Sequence, residues 1–316
     1  MPFPNQVYIQ PAIGVAGDFS DGNPRSFVDA GAAGLIAGTS GVTIGRAAWL
    51  SYSTADANGA PAAVNNFGAG VPAGLIHRQQ QGLITPYLAE ASLVVPAGFP
   101  VAVANGGGFF VKNEGSTQAL PGQYAYAAYA NGAFNFAAAS SASTATSTSF
   151  TISAQTFSVT ASVVGNIMTV SAVGSGTIYP GSVLSAAAGS ATVVSQLSGT
   201  TGGVGLYTVS IPEQNVAAGT AVTGTYGLLT LGGTITGSFA IGQTLTGTAV
   251  AAGSTITANA SNGASLTGVG GAGTYITLTA TASSGTITAA TNVQTGWVAA
   301  SAGLAGELVK IAGTAY

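Results

Sequence analysis

Between Gly115 and Gly306 the chain runs for 192 residues with one charged side chain, Glu213. A surface built from such a stretch must be hydrated by Thr, Ser, Asn and Gln. Here those residues alternate with Val, Ile and Leu, and Gly breaks the runs. Alternation of period two, rich in β-branched residues, is the pattern of half-buried strands. In the whole chain of 316 residues only 4% are charged, against roughly a quarter in ordinary soluble domains. Disordered chains combine low hydrophobicity with high charge, and this composition is the reverse. An all-β fold is expected.

The same scarcity limits chemistry. Acid–base catalysis needs a convergent set of titratable groups, and the long uncharged stretch offers Glu213 alone. The absence of cysteine removes disulfides, thiolate metal sites and thiol nucleophiles. Five Lys and Arg spread over the chain do not form the basic cluster that nucleic-acid binding requires. No apolar run reaches the roughly 18 residues of a membrane span, and Ala inflates the mean hydropathy of +0.48. The opening, Met1-Pro2-Phe3-Pro4-Asn5-Gln6, lacks the basic and apolar regions of a secretory signal. The expectation is a non-enzyme without metal or cofactor, made in the cytoplasm, binding neither nucleic acid nor membrane.

Three regions differ in composition. Residues 1–29 carry Pro2, Pro4, Pro11 and Pro24 around Val7-Tyr8-Ile9, which predicts an extended N-terminal arm. Residues 30–139 show short apolar runs between turn residues, among them Val101-Ala-Val103, Phe109-Phe-Val111 and Gln123 to Tyr129. Such spacing predicts a small β-barrel or sandwich. Gly74 to Ile84 is left open as a short helical turn. Ala137 to Ser149, all Ala, Ser, Thr and one Ser-Thr alternation, reads as a linker.

Beyond it lies an internal repeat. Gly181-Ser-Val-Leu-Ser185 matches Gly242-Gln-Thr-Leu-Thr246 at an offset of 61, and Gly202-Gly-Val-Gly-Leu-Tyr207 matches Gly270-Gly-Ala-Gly-Thr-Tyr275 at 68. The seven extra residues are expected around Asn259 to Leu266. These are Gly/Thr/Ser-rich β modules in tandem, about 157–223 and 224–294, within an inserted projecting domain over 140–294. Residues 295–316 regain Trp297, Glu307 and Lys310 and resemble the first region, so they are expected to complete its domain.

Individual candidates have ordinary readings. His77, the sole histidine, reads as a partly buried, hydrogen-bonded side chain, since no Ser or Asp beside it makes a motif. Asp18-Phe-Ser-Asp21-Gly-Asn23 lacks the spacing of a calcium loop and suits Asx-turns. Both Gly-rich tetrads run into strand sequence without a following Lys, and so read as hairpin turns rather than phosphate cradles.

Several segments resemble the structural cement, or head-decoration, proteins of tailed bacteriophages. They are residues 1–12, Gly17-Asp-Phe-Ser20, Gly74 to Glu90, Val95-Pro-Ala-Gly-Phe-Pro100, Gly108-Phe-Phe-Val-Lys-Asn113, and Trp297 to Lys310 as a C-terminal strand. The pattern departs at Gln79, where an acidic residue is expected after the His-Arg pair. The resemblance implies a virion protein on the outer capsid surface that bridges adjacent major capsid proteins and stabilises the head. A homotrimer is expected ahead of a dimer. The arm, through Phe3, Val7, Tyr8, Ile9 and Phe19, would contact the capsid by adding a strand to an exposed sheet edge. The alternative is a tail-fibre or host-adhesion β protein whose inserted domain binds host-surface glycans.

Overall fold

Alternating sequence becomes strand throughout the described residues. The computed structural model describes residues 14–30, 34–51, 61–79, 93–186, 191–210, 214–263 and 265–314, and among them there is no helix. The strands are β1 (Ser26–Phe27), β2 (Ile36–Ala37), β3 (Val42–Thr43), β4 (Ala47–Ser51), β5 (Ala63–Asn65), β6 (Gly74–His77), β7 (Val94–Val95), β8 (Ala102–Lys112), β9 (Tyr124–Ala128) and β10 (Phe134–Ala137). Then come β11 (Thr144–Gly165), β12 (Ile167–Ser175), β13 (Val183–Ala186), β14 (Val193–Gly199), β15 (Gly205–Val209) and β16 (Gln214–Thr236). The last are β17 (Leu245–Gly247), β18 (Ile256–Ala258), β19 (Gly273–Thr277), β20 (Ser283–Ala290), β21 (Asn292–Ala299) and β22 (Leu308–Thr314). The fold is all-β. The segment left open as a helical turn begins as β6, with Leu75 and Ile76 fully buried.

The first sheet has the order β10-β9-β21-β22-β8-β6-β4-β5-β2, with β1 added on β8 and β3-β7 as a separate pair. It is curled, and backbone bonds bring strands from both ends of the order back toward β8. On one side Glu114 N donates to Phe134 O at 2.8 Å, bringing β10 back to the end of β8. On the other, Ala37 N donates to Phe99 O at 2.8 Å, bringing β2 back to the start of β8. Two cores result. Phe109, Val111, Phe134, Phe136, Trp297, Val309 and Ile311 fill the first. Leu35, Ile44, Val64, Ile76 and Val103 are among those that fill the second. Trp297 has no exposed surface, and Phe134 packs edge-on to it at 6.2 Å. Truncating a side chain of that size in a closed core costs about 3–5 kcal/mol.

The second sheet, order β14-β15-β12-β11-β16-β19-β18 with β13, β17 and β20 attached, consists wholly of β11 to β20. Its register exposes the repeat. Met168 pairs with Tyr207 on β12·β15, and Leu229 pairs with Tyr275 on β16·β19. The tyrosines make the same bond, Tyr207 Oη donating to Gly203 O at 2.6 Å and Tyr275 Oη to Gly271 O at 2.7 Å. Equivalent residues fill two cores, Met168, Val170, Ile178 and Leu184 in one and Leu229, Leu231, Phe239 and Leu245 in the other, and the first core also takes Ala258 and Ile276 from the second repeat. All four pairs are 61 apart. The modules are nevertheless interlocked. The boundary at 223/224 falls inside β16, and β11 and β16 pair along most of their lengths, from Thr146↔Thr236 to Gly165↔Gln214. Each long strand serves both modules.

Two sequence expectations change here. Ala137 to Ser149 is not a free linker, because Ala137 closes β10 and Thr144 to Ser149 open β11. Thr144, Thr148 and Ser149 are exposed on a paired strand, while Ala145 and Ser147 are buried, Ser147 Oγ donating to Gly232 O at 2.8 Å. Of the Gly-rich tetrads, the first is a tight hairpin between β14 and β15, but the second belongs to the longer connection between β18 and β19.

The junction of the sheets is polar. Ser143 N donates to Asn292 Oδ1 at 2.8 Å, Asn292 Nδ2 to Asn135 Oδ1 at 2.9 Å, and Thr291 N to Ser143 O at 2.8 Å. Beside them the buried Tyr126 Oη donates to Ala138 O at 2.6 Å and accepts from Ser141 N at 2.9 Å. The chain thus enters and leaves the second sheet through adjacent, mutually bonded residues.

Candidate functional site

Residues 14–28 form a strap over β8, and β8 is built to receive it. Gly17 N donates to Phe110 O at 2.7 Å, Phe110 N to Asp18 O at 2.9 Å, and Ser20 N to Gly108 O at 3.0 Å. This places 17–20 along one edge of β8, in line with β6, which pairs with Ala102 to Ala104. Next, β1 pairs with Ala104 and Gly106 on the opposite edge, beyond the end of β22. Between these stations, residues 21–25 cross the face of the strand.

The crossing is possible because β8 carries no side chain there. A Cβ on Gly108 would collide with the Asp21 carboxylate, one on Gly106 would come within 2.5 Å of Ser26 Oγ, and one on Gly107 within 3.3 Å of Arg25 Cγ. Gly107 also has φ +125°, which L side chains rarely adopt. The three glycines split the apolar runs at 101–103 and 109–111 in the sequence, yet they lie inside one strand. Their function is close approach, not a turn.

An aromatic and charged cluster clamps the strap. The Phe19 ring lies 4.2 Å from His77, 5.4 Å from Phe109 and 6.5 Å from Phe27 between centroids. The Arg25 guanidinium sits 3.5 Å above Phe19, a cation–π contact. His77 Nδ1–H donates to Gly17 O at 2.8 Å, which sets its tautomer. Burial holds its pKa below the ordinary value of 6.5, opposed by the Gly17 bond and by Asp18. Arg78 Nη1 reaches Asp18 Oδ1 at 3.2 Å. This ion pair ties the strap to the end of β6. A second pair, Arg46 with both Glu114 oxygens at 2.5 and 2.9 Å, joins the start of β4 to the end of β8.

The model for the XM1 gp53 minor capsid protein family matches residues 3–172. The chain belongs to that family. It is therefore a phage virion structural protein that associates with other capsid components. The match covers the strap, the first ten strands, β11 and part of β12. No curated protein and no solved structure matches the chain.

Of the expected contact residues, Phe3, Val7, Tyr8 and Ile9 lie outside the described residues. Phe19 is engaged within the fold, at the centre of the cluster that fastens the strap. Sequence reading named Phe19 and His77 separately and did not join them, since 58 residues separate them and they meet only because residues 17–20 and β6 line the same edge of β8. Among the described residues no group of three His, Asp or Glu side chains is placed to hold a metal ion.

Proposed function

We propose that this minor capsid protein is a non-enzymatic head-decoration protein, seated on the outer face of the capsid, that cements adjacent major capsid proteins through its N-terminal arm. The observation that carries this reading is the strap. An arm that transmits load needs an anchor, and residues 17–28 are held on both edges of the longest strand of the first sheet, clamped by Phe19, His77 and the Asp18–Arg78 pair. The contact residues are then Phe3, Val7, Tyr8 and Ile9, with Phe19 as anchor. A homotrimer multiplies the effect, because three modest arm contacts engaged together exceed any one of them. The match to a capsid family favours the head over the tail-fibre reading.

Removing residues 1–13, which spares every described contact of the strap, tests it. The truncated chain should melt as the full chain does and fail to bind particles lacking their own copy. Full decoration by the truncated chain, seen by electron microscopy, would overturn the arm mechanism. Light scattering of the free protein should give the mass of three chains.

A further inference from the structure

The two repeats keep their cores in register and differ most in one loop. Val193 and Ile256 are equivalent and 63 apart, while Tyr207 and Tyr275 are 68 apart. Five of the seven extra residues therefore fall between β18 and β19, and two fall before β18. The enlarged connection carries Asn259, Ser261 and Asn262 to one wall of a cavity of about 440 Å³. The facing wall belongs to the first sheet and includes Thr39, Ser40 and the half-buried ring of Phe67. The walls are fixed relative to one another at Gly242, where a Cβ would collide with Gly68 O. The volume lies within the range of small-molecule sites.

The lining selects a chemical class. It includes no Asp, Glu, Lys, Arg or His, so an anion finds no cation and a cation no carboxylate. An apolar ligand would strip water from amides and hydroxyls without replacing their bonds. The amide loop is already set, with Asn259 N donating to Asn262 Oδ1 at 3.0 Å and Asn259 Oδ1 accepting from Ser261 N at 2.9 Å. Asn259 Nδ2 has no protein partner among the described residues. An aromatic ring beside uncharged donors and acceptors fits a molecule with an apolar face and a rim of hydroxyls. We infer that this cleft binds a neutral saccharide. The site needs both sheets, not the repeats alone, and it does not depend on the arm mechanism.

The full chain is screened on an array of neutral and anionic oligosaccharides, and hits are measured by saturation-transfer NMR with Phe67→Ala and Asn259→Ala alongside. Binding of a neutral glycan, unaffected by added salt and weakened about tenfold or more in each variant with unchanged melting, is the expected result. Should Phe67→Ala fail to fold, Asn259→Ala, at a half-buried loop position, decides. No neutral glycan bound, neutral binding indifferent to Asn259→Ala, or binding confined to anionic glycans would overturn the assignment.

Discussion

His77 shows how one side chain can report on the strap. Its surroundings are Gly17 O, the rings of Phe19, Phe27 and Phe109, and the charges of Asp18 and Arg25, with Arg78 next in sequence. Burial outweighs the attraction of Asp18 and favours the neutral ring. The unfolded chain therefore takes up the proton first as pH falls, so this group's contribution is intact above about pH 6.5 and is lost progressively below it. Urea titrations between pH 7.5 and 5 should show stability falling with pH, and His77→Phe should flatten that limb while keeping the aromatic stack. The tyrosines behave oppositely. Burial pushes Tyr207 up to about 12 and raises Tyr275 above its ordinary value of 10. Folded protein holds these protons longer, so stability is intact below pH 10 and is lost as pH rises through 12. Tyr207→Phe should cost about 1 kcal/mol at pH 8, from the lost bond to Gly203 O. It should also reduce the alkaline loss, read by denaturant titration at pH 8 and pH 11.

At the scale of elements, glycine separates what the sequence made legible from what it hid. Offsets of 61 in Gly181/Gly242 and 68 in Gly202/Gly270 made the repeat legible, because both members of each pair have positive φ and sit at equivalent places in the two modules. The shared strands β11 and β16 were not legible, since period-two alternation does not say which neighbour a strand pairs with. Likewise Gly106-Gly107-Gly108 looks like punctuation, and only the crossing strap explains it. Gly108→Ala tests this, because its Cβ would displace the Asp21 carboxylate. A loss of about 1–3 kcal/mol is expected, with faster tryptic cleavage at Arg25. Gly22→Ala, whose Cβ meets nothing within 4 Å, should change neither. A matching comparison probes the contact between sheets. Gly242 and Gly253 both have positive φ, but only Gly242 faces backbone, at Gly68. Gly242→Ala should therefore destabilise by more than Gly253→Ala in the same urea titration, by about 1 kcal/mol or more.

For the whole molecule, the topology implies that the flanks and the insert can be separated. Every strand of the first sheet lies at or before Ala137 or at or after Asn292, and both of its cores are filled by residues of those flanks, apart from Ala290 packed at the margin. Ser143 and Thr291 are already hydrogen-bonded to each other. Removing 144–290 and joining the ends by two glycines would therefore replace a large loop by a short turn at a point where the chain ends meet. Loop closure grows only slowly with length, so the shortening itself should change stability little. The buried bonds of Asn292 to Asn135 and Ser143 remain within the retained chain. The shortened protein should fold, with strand signal in circular dichroism and a cooperative melt. It should still decorate particles, because arm, strap and β8 are intact, and it should lose saccharide binding, because Asn259 is gone and Phe67 faces solvent. Retained folding with lost decoration would move the capsid contact into the second sheet. Failure to fold would mean that the interlocked strands stabilise the first sheet across the polar junction.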